Sequence, residues 1–148
     1  MSGQLTRLAI RTLDAAARLL HREPASPQRA ATGRHGEEEA CFYLRQQGYV
    51  MVARNFRSPR RRGEIDLIGW DGDVLCFIEV KTRSTREVMP AEAAVDHEKQ
   101  HDLAAMAHEY LRRVAGQPQF RFDIISVYVE TPGAAVEITL FKNAFPMS

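Results

Sequence analysis

Asp66, Glu79 and Lys81 are charged residues set inside stretches that otherwise read as buried β-strand, Ile65–Trp70 and Val74–Val80. Ionised groups are costly in such places unless they are paired or bound to a metal. The intervening Asp71-Gly72-Asp73 is a hairpin signal. With Gly72-Asp73 as the two loop residues, Asp71 pairs with Val74 and the ladder sets Asp66 opposite Glu79 and Glu64 opposite Lys81. Side chains alternate with period two, so all four then share one face. Facing residues lie roughly 4.5–5.5 Å apart at Cβ, which lets two carboxylates share one ion. With Asp71-Gly72 as the loop instead, Asp66 faces Phe77 and sits diagonal to Glu79, a looser arrangement that still accommodates a bridging ion. Two carboxylates held together repel, and a divalent cation removes the repulsion. Hard oxygen ligands without matching Cys or His indicate Mg²⁺ or Mn²⁺ over Zn²⁺. The competing view is an ordinary charge pair on a solvated strand; the near-continuous apolar runs favour strands covered on both faces.

Glu37 is a fourth candidate, from helical spacing. Ala40, Cys41 and Leu44 form a stripe, and stepping back three or four positions reaches Glu37 while Glu38 and Glu39 point elsewhere. An acidic run near a helix start can equally serve the helix dipole.

These residues resemble the PD-(D/E)xK nuclease signature of restriction endonucleases and archaeal Holliday-junction resolvases: an aspartate, Asp66, then Glu79-x-Lys81 at the end of the next strand. Ile65-Asp66 stands where that superfamily has Pro-Asp. A closer resemblance is to the small bacterial YraN family, through Gly33-x-x-Gly36-Glu37-x-x-Ala40, Asn55-x-Arg57, Gly63-Glu64-Ile65-Asp66-Leu67-Ile68, Glu79-Val80-Lys81-Thr82-Arg83, Ala94-Val95-x-x-x-Lys99 and Arg121-Phe122-Asp123, over about residues 33 to 142. The resemblance implies metal-dependent phosphodiester hydrolysis of DNA. Asp66, Glu79 and the Val80 carbonyl would hold Mg²⁺ or Mn²⁺, and Lys81 would assist the attacking water and offset developing negative charge. It also singles out Glu37 near the metal and Lys99 facing phosphate. Branched or structured DNA as substrate rests on the likeness to junction resolvases, as does a symmetric homodimer. The alternative from another class is a nuclease-derived DNA-binding or scaffold protein with little turnover.

His97-Glu98-Lys99-Gln100-His101 satisfies H-E-x-x-H, in which i, i+4 histidines ligate zinc and the glutamate acts as base of a metallopeptidase. Leu103, Met106, Ala107, Tyr110, Leu111 and Val114 make the core stripe of that helix, and its backward extension passes through Lys99 and Gln100. His97, His101 and His108 are left on the other face, and His108 is about 10 Å along the helix from His101. A zinc site is the weakest of the three readings.

Twenty Lys plus Arg balance nineteen Asp plus Glu, but the distribution is uneven. Arg54, Arg57, Arg60, Arg61 and Arg62 precede the Asp66 strand without an intervening acid, and Arg83 and Arg86 follow Lys81. Flanking the carboxylates in this way suits sequence-blind contacts to a phosphate backbone, with Arg57, Arg60, Arg61, Arg62, Arg83 and Lys99 as the candidate nucleic-acid-binding set. No base-reading motif is present.

A chain of 148 residues that is 45% hydrophobic supports one domain with a real core. The reading is a helix at 5–20, a linker through Glu23–Gln28, a helix at 34–47, strands near 49–57, 64–70 and 74–82, a helix at 92–115 and strands near 120–130 and 135–142. This predicts an α/β fold: a restriction-endonuclease-like three-layer core, a mixed central β-sheet flanked by helices, with an N-terminal helical extension. Residues 1–32 form the extension and linker, and 33–148 the nuclease-like domain. The apolar run of the N-terminal segment is too interrupted for a membrane span or secretory signal. Cys41 and Cys76 fit reduced core positions in a cytoplasmic protein.

Overall fold

The computed structural model describes residues 27–84, 96–131 and 133–146. Within them the order is α1 (Pro27–Gln46), β1 (Val50–Phe56), β2 (Ile65–Asp71), β3 (Val74–Arg83), α2 (His97–Leu111), β4 (Phe120–Tyr128) and β5 (Glu137–Phe145). The strands form one sheet in the order β1-β2-β3-β4-β5, antiparallel throughout except for the parallel β3–β4 pair. Parallel neighbours need a crossover, and α2 lies in it. The architecture is the expected α/β one, a mixed five-stranded sheet with a helix on each side, consistent with a restriction-endonuclease-like core. The N-terminal helix at 5–20, most of the linker, Arg86 and the first residues of the 92–115 helix lie outside the described residues.

Each helix seals one face of the sheet. Ala40, Cys41 and Leu44 of α1 pack with Leu67, Cys76, Ile78, Val80, Ile125 and Val127. Leu103, Met106 and Ala107 of α2 pack with Ile65, Ile68, Leu75, Phe77, Phe122 and Ile124. Both helical stripes are the ones read from the sequence. Cys41 and Cys76 are buried free thiols, and burial followed by the charge of Asp123 pushes Cys76 up to about 12.

Three boundaries differ from expectation. Helix α1 begins at Pro27, so Pro27 and Gln28 open a helix instead of closing a linker; proline at a first helical position already has the required φ and loses no hydrogen bond. Helix α2 stops at Leu111, after which Arg113 N→Tyr110 O (2.9 Å) and Val114 N→Leu111 O (3.1 Å) tighten the chain into turns. Strand β5 runs on to Phe145, past the expected 142. By contrast Gly48 (φ 93°) ends α1 as expected, in a Schellman arrangement with Gly48 N→Arg45 O and Tyr49 N→Leu44 O both at 3.0 Å.

That cap delivers Tyr49 to a polar network under the β2–β3 hairpin. Asp123 is fully buried and accepts from Tyr49 Oη (3.1 Å), Arg121 Nε (2.9 Å) and Asn143 N (2.9 Å). Arg121 Nη2 also donates to Asp71 Oδ2 at 2.6 Å, and Lys142 Nζ joins the same oxygen at 3.1 Å. Burial works against the charged Arg121 guanidinium, but its bonds to Asp123 and Asp71 outweigh that and raise its pKa. Burial and then the Asp123 charge raise Tyr49. The bonds from Arg121 and then Lys142 lower Asp71.

Packing at Gly36 and charge at Asp71 can each be tested. A Cβ on Gly36 would come within 3 Å of Thr82 Oγ1, Cβ and Cγ2 at once, on a β-branched side chain with little freedom to move. Gly36→Ala is expected to destabilise the fold by about 1–3 kcal/mol in urea titration, and the Thr82→Ala partner, which removes the Oγ1 and Cγ2 contacts but keeps the Cβ one, to recover part of the loss. Asp71, with its pKa depressed on folding, contributes stability above the ordinary carboxylate range that is lost as pH falls through its folded pKa. The melting-temperature gap between wild type and Asp71→Asn is therefore expected to be fully open at neutral pH and to close in acid.

Candidate functional site

Strand β2 parts from β3 at Asp66 while staying paired with β1. The β2–β3 ladder runs from Asp71↔Val74 to Leu67↔Ile78, the register expected with Gly72-Asp73 as loop, and Asp66 and Glu79 are its next positions. In a two-residue hairpin the closing pair is hydrogen-bonded and bonded pairs then alternate, so the next amide due to β2 is that of Val80, opposite Ile65. Val80 N donates instead to the Asp66 carboxylate, Oδ2, at 2.8 Å. A side chain has replaced the main chain as acceptor, and the regular ladder ends there.

The same point carries a break in alternation. Ile65 and Ile68, three residues apart, both pack on the α2 side, while Leu67 packs on the α1 side. Across the β1–β2 pair, Arg54↔Leu67 and Phe56↔Ile65 place Asn55 opposite Asp66, and Asn55 has φ 51°. Both strands turn over at this pair, and asparagine is among the few residues that accept the left-handed region.

One group of carboxylates gathers here. Among the described residues, Glu37, Glu64 and Asp66 each present an oxygen such that all three lie within 4.8 Å of one another. Asp66 is 0% exposed, and Glu37 and Glu64 are half-buried. Helix α1 supplies Glu37 from the inward stripe predicted by spacing. Because α1 begins at Pro27, Glu37 lies near the helix middle, and the first-turn dipole explanation for this residue falls away. Glu64, which the hairpin register placed on the shared face without giving it a role, is the member the sequence reading missed; its i−2 spacing from Asp66 was the available signal.

Glu79 and Lys81 are 3% and 4% exposed on β3. Glu79 borders the core beside Ile65, Phe77, Leu103 and Phe122 and is not one of the three clustered carboxylates. Val80 brings its amide to Asp66, and its side chain belongs to the α1-side core.

The arginines occupy the loop between β1 and β2. Arg57, Arg60, Arg61 and Arg62 are exposed, and Arg83, at the end of β3, is half-buried. Arg57 Nε donates to Glu64 Oε2 at 2.9 Å, and its Nη2 lies 2.8 Å from the same oxygen in an ion pair. Arg61 Nε lies 3.8 Å from Glu109 on α2. Asp96 caps α2 by accepting from Lys99 N at 2.8 Å, and Lys99 sends its amine toward the loop: a Cβ on Gly63 would stand 3.5 Å from Lys99 Nζ. His97, Glu98 and His101 are on the outer side of α2, and no third zinc ligand joins them among the described residues. None of the described helices is long and apolar enough to cross a membrane.

Among known proteins, residues 36–127 match an uncharacterised protein family, UPF0102. A UPF0102 protein of Koribacter versatilis is 52% identical over 143 residues, covering 97% of this chain and 96% of the relative. Relatives of the same description from Solibacter usitatus and Desulforamulus reducens are 46% and 40% identical, covering 76% and 80% of this chain and 84% and 98% of their own. The chain therefore belongs to UPF0102, the YraN-like family that its motifs resemble.

Proposed function

We propose that this protein is a cytoplasmic, metal-dependent nuclease of PD-(D/E)xK type that hydrolyses phosphodiester bonds in DNA. The observation that carries the reading is the convergence of Glu37, Glu64 and Asp66 where β2 parts from β3. Oxygens trans to one another across an octahedral Mg²⁺ lie roughly 4.2 Å apart, given metal–oxygen distances of about 2.1 Å. An all-carboxylate set within 4.8 Å needs only small side-chain rotations to meet that geometry, and the donor chemistry suits a hard cation.

In this reading Asp66, Glu37 and Glu64 would hold the ion, together with Glu79 and the Val80 carbonyl from β3. Mg²⁺ or Mn²⁺, when bound, supplies neutralisation of phosphate charge and a more acidic water. Lys81 offsets the charge that develops on the phosphate oxygens, the role an ammonium beside carboxylates fits better than that of a base, since their charge favours its protonated form. Lys99 and the exposed arginines Arg57, Arg60, Arg61 and Arg62 line the approach with positive charge, and Arg83 adds to it from the end of β3. Such contacts bind the backbone without reading sequence. Branched DNA, cut by a symmetric homodimer, is the substrate the resemblance favours.

Two measurements test this. Titration calorimetry with Mn²⁺ is expected to show binding that Asp66→Asn abolishes and Glu79→Gln weakens. Zn²⁺ binding lost in His101→Ala, with no response to Mn²⁺, would transfer the assignment to a metallopeptidase. Cleavage of labelled linear, flap and four-way DNA with Mg²⁺ is expected to fall about 10²–10³-fold in Lys81→Ala while Mn²⁺ binding persists, as removal of an electrostatic stabiliser does elsewhere. DNA binding by the wild type without any turnover would leave only the scaffold reading.

A further inference from the structure

Arg57 and Glu64 are the two ends of the basic loop, and their contact is unlike the others that loop makes. Arg57 Nε donates to one oxygen of Glu64, Oε2, at 2.9 Å, and Nη2 faces that same oxygen at 2.8 Å as an ion-pair contact. The carboxylate so engaged belongs to the group with Glu37 and Asp66. The Arg57 side chain is 77% exposed and that of Glu64 26%. An ion pair this open to water is weak, and a fork seated on a single oxygen forgoes the parallel two-oxygen geometry that guanidinium groups make with carboxylate or phosphate. Arg57 is thus placed to leave Glu64 when a better anion arrives, and a phosphodiester presents the two-oxygen edge it lacks here. The neighbouring side chains differ: Arg61 reaches toward Glu109 on α2, and Arg60 and Arg62 make no ion pair among the described residues.

We propose that Arg57 is an exchangeable cap on the metal centre, released by the DNA backbone. Before DNA binds, Arg57 holds Glu64 and its positive charge opposes the entry of a divalent cation. When a backbone phosphate takes the guanidinium, Glu64 turns to the cation shared with Asp66. DNA binding and metal loading then strengthen one another, and linkage requires the coupling to be equal in both directions. The inference rests on the metal-centre reading given above. It adds that the site is completed by its substrate, with Arg57 as the positioning residue.

The test measures Mn²⁺ affinity by calorimetry on the full chain, with and without a hydrolysis-resistant phosphorothioate duplex. Without duplex, Arg57→Ala is expected to bind Mn²⁺ about three- to fivefold more tightly than wild type, the factor set by losing an exposed ion pair. Its affinity for the duplex is expected to fall. Arg60→Ala, which lacks the Glu64 contact, is expected to lose duplex affinity with its Mn²⁺ affinity unchanged. Duplex is expected to tighten Mn²⁺ binding to the wild type by a similar factor, and this enhancement to vanish in Arg57→Ala and in Glu64→Gln. Mn²⁺ binding that Arg57→Ala leaves unchanged or weakens would overturn the cap while sparing the metal centre. A wild-type chain that binds no Mn²⁺ at all would remove the metal centre and the cap together.

Discussion

Asp66 takes a main-chain amide that the sheet would otherwise use for itself. The bond from Val80 N to Asp66 Oδ2 closes off the β2–β3 ladder, so the strands separate without leaving a buried N–H orphaned. Everything at this end of the molecule follows from that exchange. Strand β2 is freed to turn over, Glu64 comes round beside Asp66, and the space opened is reached by Glu37 from the helix packed on the sheet. The left-handed Asn55 in the facing strand lets β1 turn with β2, so their pairing survives on both sides of the break. A similar device recurs at the opposite edge, where Asn143 (φ 52°) bulges β5 and donates its amide to Asp123.

What could be read from the sequence was whatever depends on local periodicity or on a turn with few solutions. The Asp71-Gly72-Asp73 turn left two hairpin registers open, and the observed one, Asp71↔Val74 down to Leu67↔Ile78, is that with Gly72-Asp73 as loop. The stripes of both helices were legible from their periodicity, including the inward direction of Glu37 and the outward direction of His97 and His101. The turnover at Asn55 and Asp66 was not. Strict alternation assumes a regular strand, and an asparagine permits the left-handed region without requiring it. That is why Glu64 had a face but no role. The start of α1 was hidden for a different reason: Pro27, Ser26 and Pro24 compose a linker as readily as the entry to a helix.

Two buried carboxylates of the sheet have different surroundings. Asp123 is met by donors from every side, Tyr49, Arg121 and the Asn143 amide, and its charge is compensated within the protein. This network ties the start of β1, the β2–β3 hairpin, β4 and β5 together. Asp66 is equally buried, yet two further carboxylates crowd against its own. Like charges so placed oppose the compact state unless something neutralises them. In the metal-centre reading the first acid serves structure and the second, grouped with Glu37 and Glu64, would serve a cation. The distribution of arginine agrees, since the basic loop spans from Arg57 to Arg62 beside the crowded end, and Lys99 approaches it from α2. The network thus ties down the hairpin from which β2 and β3 run to the point where they part at Asp66, and the convergence of three carboxylates at that point is what supports the metal-centre reading.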